Sequence, residues 1–135
     1  MLKLIIGLKG TGKTKQLIEL VNEAVNKSHG SVVCVEKNDK LRYDIKYQCR
    51  LISAEEYLIS DAYSLYGFVS GIYASNHDIT DIFIDSALRI SGNDKEAFDL
   101  FLTKTDSFAA VHNINVIITS TIDESEATET MKKYL

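Results

Sequence analysis

The stretch Gly7-Leu8-Lys9-Gly10-Thr11-Gly12-Lys13-Thr14 decides the interpretation of this sequence. It follows the apolar run Leu2–Ile6, which predicts a buried strand, and it precedes a segment with apolar residues at helical spacing. Glycines here allow positive φ angles and bring backbone N–H groups close to phosphate oxygens. The positive end of the following helix points at the same anion. The stretch therefore predicts a phosphate-binding loop.

The loop fits the pattern G-x-x-x-x-G-K-[ST] at every fixed position. In this pattern Lys13 reaches the β- and γ-phosphates, and the Thr14 hydroxyl is a ligand of Mg²⁺. The predicted nucleotide-binding residues are Gly7, Leu8, Lys9, Gly10, Thr11, Gly12, Lys13, Thr14 and Lys15.

Strands and helices alternate along the rest of the chain. Strands are predicted at Ser31–Glu36, Tyr47–Ile52, Ile79–Asp85 and Ile114–Thr119, and helices at Lys13–Ser28, Ser53–Asn76, Asp94–Asn113 and Asp123–Lys133. Gly30 favours the end of the first helix, and Ser53 with Glu56 forms a capping box for the second. The polar segment Lys37–Lys46 predicts a loop or lid. The alternation predicts an α/β protein with a parallel sheet and helices on both faces.

A second motif is the apolar run Ile82–Asp85, which ends in a carboxylate. Because the carboxyl ends of parallel strands share the edge where ligands bind, Asp85 is expected near Thr14 and the magnesium ion. Asp81 begins the same strand and is expected at the opposite end of the sheet.

Together the two motifs resemble the Walker A and Walker B motifs of the P-loop NTPase superfamily. The resemblance implies a three-layer α/β/α sandwich with a mainly parallel sheet of about four or five strands. It also implies a single nucleotide-binding domain over residues 1–135, with ATP or another NTP and Mg²⁺ as its ligands and Lys13 in catalysis. The expected activity is magnesium-dependent NTP binding with slow hydrolysis.

A weaker resemblance is to RecA-like ATPases. Many P-loop ATPases have a glutamate directly after the Walker B aspartate, and this chain has Ser86 there. RecA-like ATPases can carry the water-activating glutamate at the end of the second strand, where this chain has Glu36. Thr119 and Ser120 end a strand that resembles the sensor strand of this group.

Two alternatives to hydrolysis are a nucleotide-binding module that regulates or docks onto a partner, and a small-molecule kinase. The kinase alternative rests on a resemblance to thymidine-kinase-type nucleoside kinases. Their glutamate after the Walker B aspartate is absent here, as are the cysteine clusters of their zinc-bearing lid. A charge-stabilising arginine would be Arg42, in the polar loop, or Arg89, four residues after Asp85.

Composition limits the other possibilities. The net charge of −4 indicates no overall basic footprint for nucleic acid, and no apolar run is long enough to span a membrane. A cytoplasmic location is the simplest expectation, with Cys34 and Cys49 as buried, reduced side chains. An apolar helix at 53–76 and an open sheet edge beside the first strand favour a homo-oligomer or a protein partner.

Overall fold

The computed structural model describes residues 1–135, with five strands and five α-helices. The elements in chain order are β1 (Leu2–Gly7), α1 (Lys13–Lys27), β2 (Ser31–Glu36), β3 (Arg50–Ser53), α2 (Ala62–Ser75), β4 (Ile79–Ile84), α3 (Ala87–Ile90), α4 (Lys95–His112), β5 (Asn115–Thr121) and α5 (Glu129–Lys132). Short 3₁₀ turns lie at Glu55–Tyr57 and Glu124–Glu126. None of the helices combines the length and the apolar composition required to cross a bilayer.

The five strands form one sheet in the order β1-β5-β4-β2-β3, and every strand pair is parallel. The predicted α/β fold with a parallel sheet is therefore confirmed. The carboxyl ends of all five strands meet at one edge of the sheet, as in any all-parallel arrangement. Because β5 lies between β1 and β4, its last residues lie between the ends of those two strands.

Two hydrophobic clusters cover the two faces of the sheet. On one face α1 and the 37–49 segment pack against the strands through Leu17, Val21, Leu41, Ile45 and Cys49. On the other face α2, α4 and α5 contribute to a larger cluster that includes Leu65, Phe98 and Met131. Neighbouring residues of β4 divide between the clusters, with Phe83 in the first and Ile82 and Ile84 in the second. This alternation is the period-two pattern of a strand buried on both faces.

The predicted start of the second helix is wrong. Ser53 is the last residue of β3, where it pairs with Glu36 of β2, and α2 begins only at Ala62. The capping box belongs to Asp61 and Ser64: the Asp61 carboxylate accepts from the Ser64 N–H, and the Ser64 hydroxyl accepts from the Asp61 N–H. Sheet pairing has thus overridden a local capping signal, because it extends the strand through the residue that the signal needed.

The predicted apolar helix at 53–76 is shorter than expected, and only one side of it is buried. Only Ala62, Leu65 and Val69 of α2 are fully buried, and these lie on one stripe. Gly67 and Gly71 face open space, since a Cβ added at either position would meet no atom within 4 Å. The helix therefore has a solvent-facing side.

The edge strand β1 is partly covered by the C-terminal segment. The Leu4 N–H, on the side of β1 that faces away from β5, donates to the Tyr134 carbonyl over 2.8 Å. Met131 of α5 is fully buried beneath this segment. The C-terminal segment of the chain therefore covers part of the sheet edge that was expected to be open. The predicted terminal helix Asp123–Lys133 is wrong, because the structure has only two short helical turns there.

Gly30 has a different role from the predicted helix stop. The cap of α1 is Ser28, and a Cβ at position 30 would overlap the Asp78 carbonyl oxygen and lie 2.7 Å from Thr80 Cγ2. That carbonyl already accepts from the Ser31 N–H over 2.8 Å, so it is not free to move away. The glycine is required by the close approach of two backbone segments.

We expect Gly30→Ala to lower the free energy of unfolding by about 1–3 kcal/mol, the usual cost of overpacking. Denaturant unfolding measures the change. The matched control is Gly67→Ala in α2, which meets open space and is expected to gain up to about 1 kcal/mol from helix propensity. Equal stabilities for the two alanine variants would contradict this interpretation of Gly30.

Candidate functional site

The glycine-rich loop joins β1 to α1 in a tight turn. Gly10 and Gly12 adopt φ angles of 83° and 87°, a region that side chains rarely occupy. The Leu8 carbonyl organises the turn by accepting from the Thr11 hydroxyl at 2.7 Å and from Lys13 Nζ at 2.9 Å. The helix begins at Lys13, directly after Gly12. The predicted strand–loop–helix arrangement is therefore present, with the helix N-terminus at the open end of the loop.

A cavity of about 700 Å³ lies against this loop at the carboxyl edge of the sheet. Its lining contains no hydrophobic residue and consists of Lys9, Gly10, Gly12, Lys13, Thr14, Lys15, Ser86, Arg89, Thr119 and Thr121. Four of these residues are cationic, and none is acidic. A polar cavity with four positive charges and a helix N-terminus can bind an anion.

Asp85 lies beneath the cavity and connects its parts. It follows β4 directly and is 8% exposed. Thr119 Oγ1 donates to Asp85 Oδ1 over 2.6 Å, and Thr14 Oγ1 lies 3.4 and 3.3 Å from Asp85 Oδ1 and Oδ2. The predicted proximity of Thr14 and Asp85 is therefore observed, with Thr119 holding the carboxylate from the intervening strand.

Lys13 is nearly as buried as Asp85, with 9% of its surface exposed. Burial lowers the pKa of the Lys13 ammonium group, and the negative charge of Asp85 opposes that shift. A buried ammonium with one backbone acceptor retains hydrogen-bonding capacity, because it has three donors. The group can therefore donate to an anion in the cavity.

The residues after Asp85 form a structure that the sequence interpretation missed. Ser86 adopts a left-handed conformation (φ 59°, ψ 42°), and the one-turn helix α3 follows it. The Ser86 N–H donates to Thr119 Oγ1 over 2.9 Å, and the Leu88 N–H donates to Ser120 Oγ over 3.3 Å. A helix of four residues is too short to show a helical period in the sequence. The polar residues that end the neighbouring strands were the only sequence signal for this turn.

The predicted sensor and arginine residues differ in whether they line the cavity. Arg89 of α3 and Thr119 line the cavity, whereas Ser120 is fully buried and serves the backbone of α3. Arg42 lies outside the lining, pairs with Asp39 at 3.5 Å and stacks on the Tyr43 ring. The structure therefore brings Arg89, and not Arg42, to the predicted site.

Glu36 is buried at the end of β2, with 3% of its surface exposed. Its carboxylate accepts from the Lys40 N–H at 2.8 Å and from the Leu41 N–H at 3.4 Å. Burial raises the pKa of Glu36, although these two hydrogen bonds oppose the shift. Glu36 does not line the cavity and, in this structure, fixes the start of the 37–49 segment.

The oxygen atoms of Thr14 and Asp85 are the donors available for a metal ion. No group of three or more His, Cys, Asp or Glu residues forms a metal cage in the structure. A hydroxyl and a carboxylate fit Mg²⁺, which prefers oxygen ligands and keeps several of its waters when phosphates complete the shell.

A scan against models of protein families and a search of curated proteins each found no match to this chain.

Proposed function

We propose that this chain binds a nucleoside triphosphate with Mg²⁺ at the 7–14 loop and belongs to the P-loop NTPase superfamily. One observation carries the proposal. The loop with its helix N-terminus, four cationic side chains and the Thr14 hydroxyl line one polar cavity, and the carboxylate of the buried Asp85 lies directly behind that hydroxyl at 3.3 Å. A triphosphate with a divalent cation needs this combination, since it presents several negative oxygens and one hard cation together.

Each part of the site contacts a different part of the magnesium nucleotide. Backbone N–H groups of the loop and of the first turn of α1 bind the phosphate oxygens, and Lys13 neutralises charge on the β- and γ-phosphates. Thr14 and Asp85 hold the magnesium ion, directly or through water. When bound, magnesium neutralises phosphate charge and orients the phosphate chain. Arg89 of α3 lines the cavity, from which it can contact the terminal phosphate. Thr119 of β5 also lines the cavity, but its hydroxyl donates to Asp85, so its role is to position that carboxylate.

The activity that we propose is slow hydrolysis, with Glu36 as the residue that activates water. Its raised pKa favours this role, because a base with a pKa closer to neutrality accepts a proton more readily. Glu36 would have to exchange its hydrogen bonds to Lys40 and Leu41 for one to water, so rearrangement of the 37–49 segment is part of the proposal. The need for this exchange is consistent with a low rate.

A second candidate is a nucleotide-binding module that does not hydrolyse its ligand. The observation in its favour is that Glu36 is already occupied by two backbone N–H groups and lies outside the cavity lining. In this alternative Glu36 is a structural residue, and the bound nucleotide regulates a surface of the protein.

Calorimetry with magnesium nucleotides and a steady-state hydrolysis assay test the proposal. Absence of binding heat for all common magnesium NTPs would contradict nucleotide binding. An increase in NTP turnover on adding nucleosides would favour the kinase alternative instead, because the nucleoside would then accept the phosphoryl group.

We expect Glu36→Gln to retain nucleotide affinity and to lose about 10²-fold or more in hydrolysis, the usual contribution of a general base. Glu19→Gln on α1 is the matched control, since it makes the same change at an exposed glutamate. If Glu36→Gln hydrolyses as fast as the wild type, Glu36 is not the base. A wild-type rate equal to that of a Lys13 variant would favour the second candidate.

A further inference from the structure

The segment from Lys37 to Arg50 differs in charge from the rest of the chain. Its five basic residues, two of which are arginines, and its two acidic residues give a net charge of +3, whereas the whole chain carries −4. Every one of the five except Lys37 is exposed. The chain is therefore acidic overall but has one local basic surface.

This surface is anchored from beneath. Leu41, Ile45 and Cys49 recur every four residues and are buried against α1 and the sheet. Asn22 of α1 donates to the Asp44 carbonyl and accepts from the Lys46 N–H, both over 3.0 Å. The residues between these anchors are therefore held facing solvent by a defined backbone.

Two tyrosines project from this surface with almost no packing. Tyr43 is 89% exposed and Tyr47 is 92% exposed, although a tyrosine ring carries a large apolar area that folding normally buries. The Arg42 guanidinium lies 5.5 Å from the centre of the Tyr43 ring. Next to Tyr47, a cleft of about 330 Å³ is lined by Arg50 and by a second aromatic ring, that of Tyr57, with Glu56 as its one acidic residue. The surface thus alternates rings and cations and has a cleft that contains both.

We infer that the 37–50 surface binds single-stranded nucleic acid. Bases stack on exposed aromatic rings, and the backbone phosphates are neutralised by neighbouring lysines and arginines. An acidic protein segment would use the cations, but it does not present a planar ring on every unit of its chain, as a single strand of nucleic acid does. This inference does not rest on the nucleotide site, which lies outside the segment.

Fluorescence anisotropy with labelled oligo-dT and oligo-U tests the inference. The oligonucleotides should be about 16 nucleotides long, which is the upper end of single-strand site sizes. We expect binding at low salt to at least one of them, and the comparison of the two identifies RNA or DNA as the preferred source. Tyr43→Ala with Tyr47→Ala should weaken this binding about 25-fold, or about fivefold for each ring. Tyr63→Ala on α2 is the matched control, because Tyr63 is also largely exposed but lies outside the surface.

The salt dependence supplies a second measurement. Lys46→Gln with Arg50→Gln should reduce the slope of log Kd against log salt by about 1.4, since each phosphate contact to a single strand contributes about 0.7. No binding to either oligonucleotide, or equal binding by the double tyrosine variant, would overturn the inference. So would competition by polyglutamate as strong as that by unlabelled oligonucleotide, because it would indicate an acidic partner. The tyrosine variants should bind magnesium nucleotide as the wild type does, which separates the two sites.

Discussion

Lys13→Met is expected to lower the affinity for magnesium nucleotide by roughly 30-fold or more, the effect of removing one member of a buried charge pair at about 2–5 kcal/mol. The reason is the location of the ammonium group. Only 9% of the surface of Lys13 is exposed and it lines the polar cavity, so its attraction for phosphate is screened less than that of a surface lysine. Methionine keeps most of the aliphatic length, so the packing of the first turn of α1 is preserved.

Calorimetry measures the affinity of the Lys13 variant, and thermal unfolding with and without nucleotide measures it independently. The wild type should melt at a higher temperature with saturating magnesium nucleotide, and Lys13→Met should show little or no such shift. Lys104→Met on α4 is the matched control, since Lys104 is exposed and distant in sequence from the loop. Retention of wild-type affinity by Lys13→Met would remove the basis of the proposed function.

Asp85→Asn is expected to weaken the effect of magnesium on nucleotide binding without unfolding the protein. Asp85 is buried and accepts from the hydroxyls of Thr14 and Thr119, but it forms no salt bridge. Asparagine can still accept from Thr119 and removes a buried charge, but it also removes the attraction of Asp85 for the Lys13 ammonium. These effects oppose each other, so the free energy of unfolding without ligand should change little. The amide is a much weaker partner for a hard cation than the carboxylate. The increase in nucleotide affinity caused by magnesium should therefore fall by about tenfold or more.

Nucleotide titrations with and without magnesium measure this effect, and denaturant unfolding measures the stability. Asp81→Asn is the matched control. Asp81 lies at the opposite end of β4, where it accepts from Thr80 and Asn115, so its loss should leave the magnesium dependence unchanged. An Asp85→Asn protein that responds to magnesium as the wild type does would contradict the role given to this carboxylate.

Elements with strong local signals could be predicted from the sequence. The helix bounds Asp94 and Asn113 are the observed caps of α4, because an N-terminal aspartate and a left-handed asparagine are local devices. The strand Ser31–Glu36 is also as predicted, since its apolar run is bounded by a glycine and a polar segment. Such signals act over a few residues and do not depend on the rest of the fold.

Features set by distant contacts could not be predicted. Ser53 carries a helix-start signal but lies in a strand because of its neighbour Glu36, which is 17 positions away in the chain. The hydrogen bonds of Glu36 to Lys40 and Leu41 depend on how the following loop turns back. In the site, the Gly7–Thr14 loop and Asp85 were predictable from motif and strand position. The support of Asp85 by Thr119 required the strand order, which the sequence leaves open.

The position of β1 has a consequence for the order of folding. This strand is made first, yet its only strand partner is β5, more than a hundred residues later, and its free edge is covered by Tyr134. During synthesis the glycine-rich loop therefore emerges long before the strands that hold it in place. Because closing so long a stretch of chain is slow, we expect the nascent protein to form its central β2–β4 pairing before its cationic cavity.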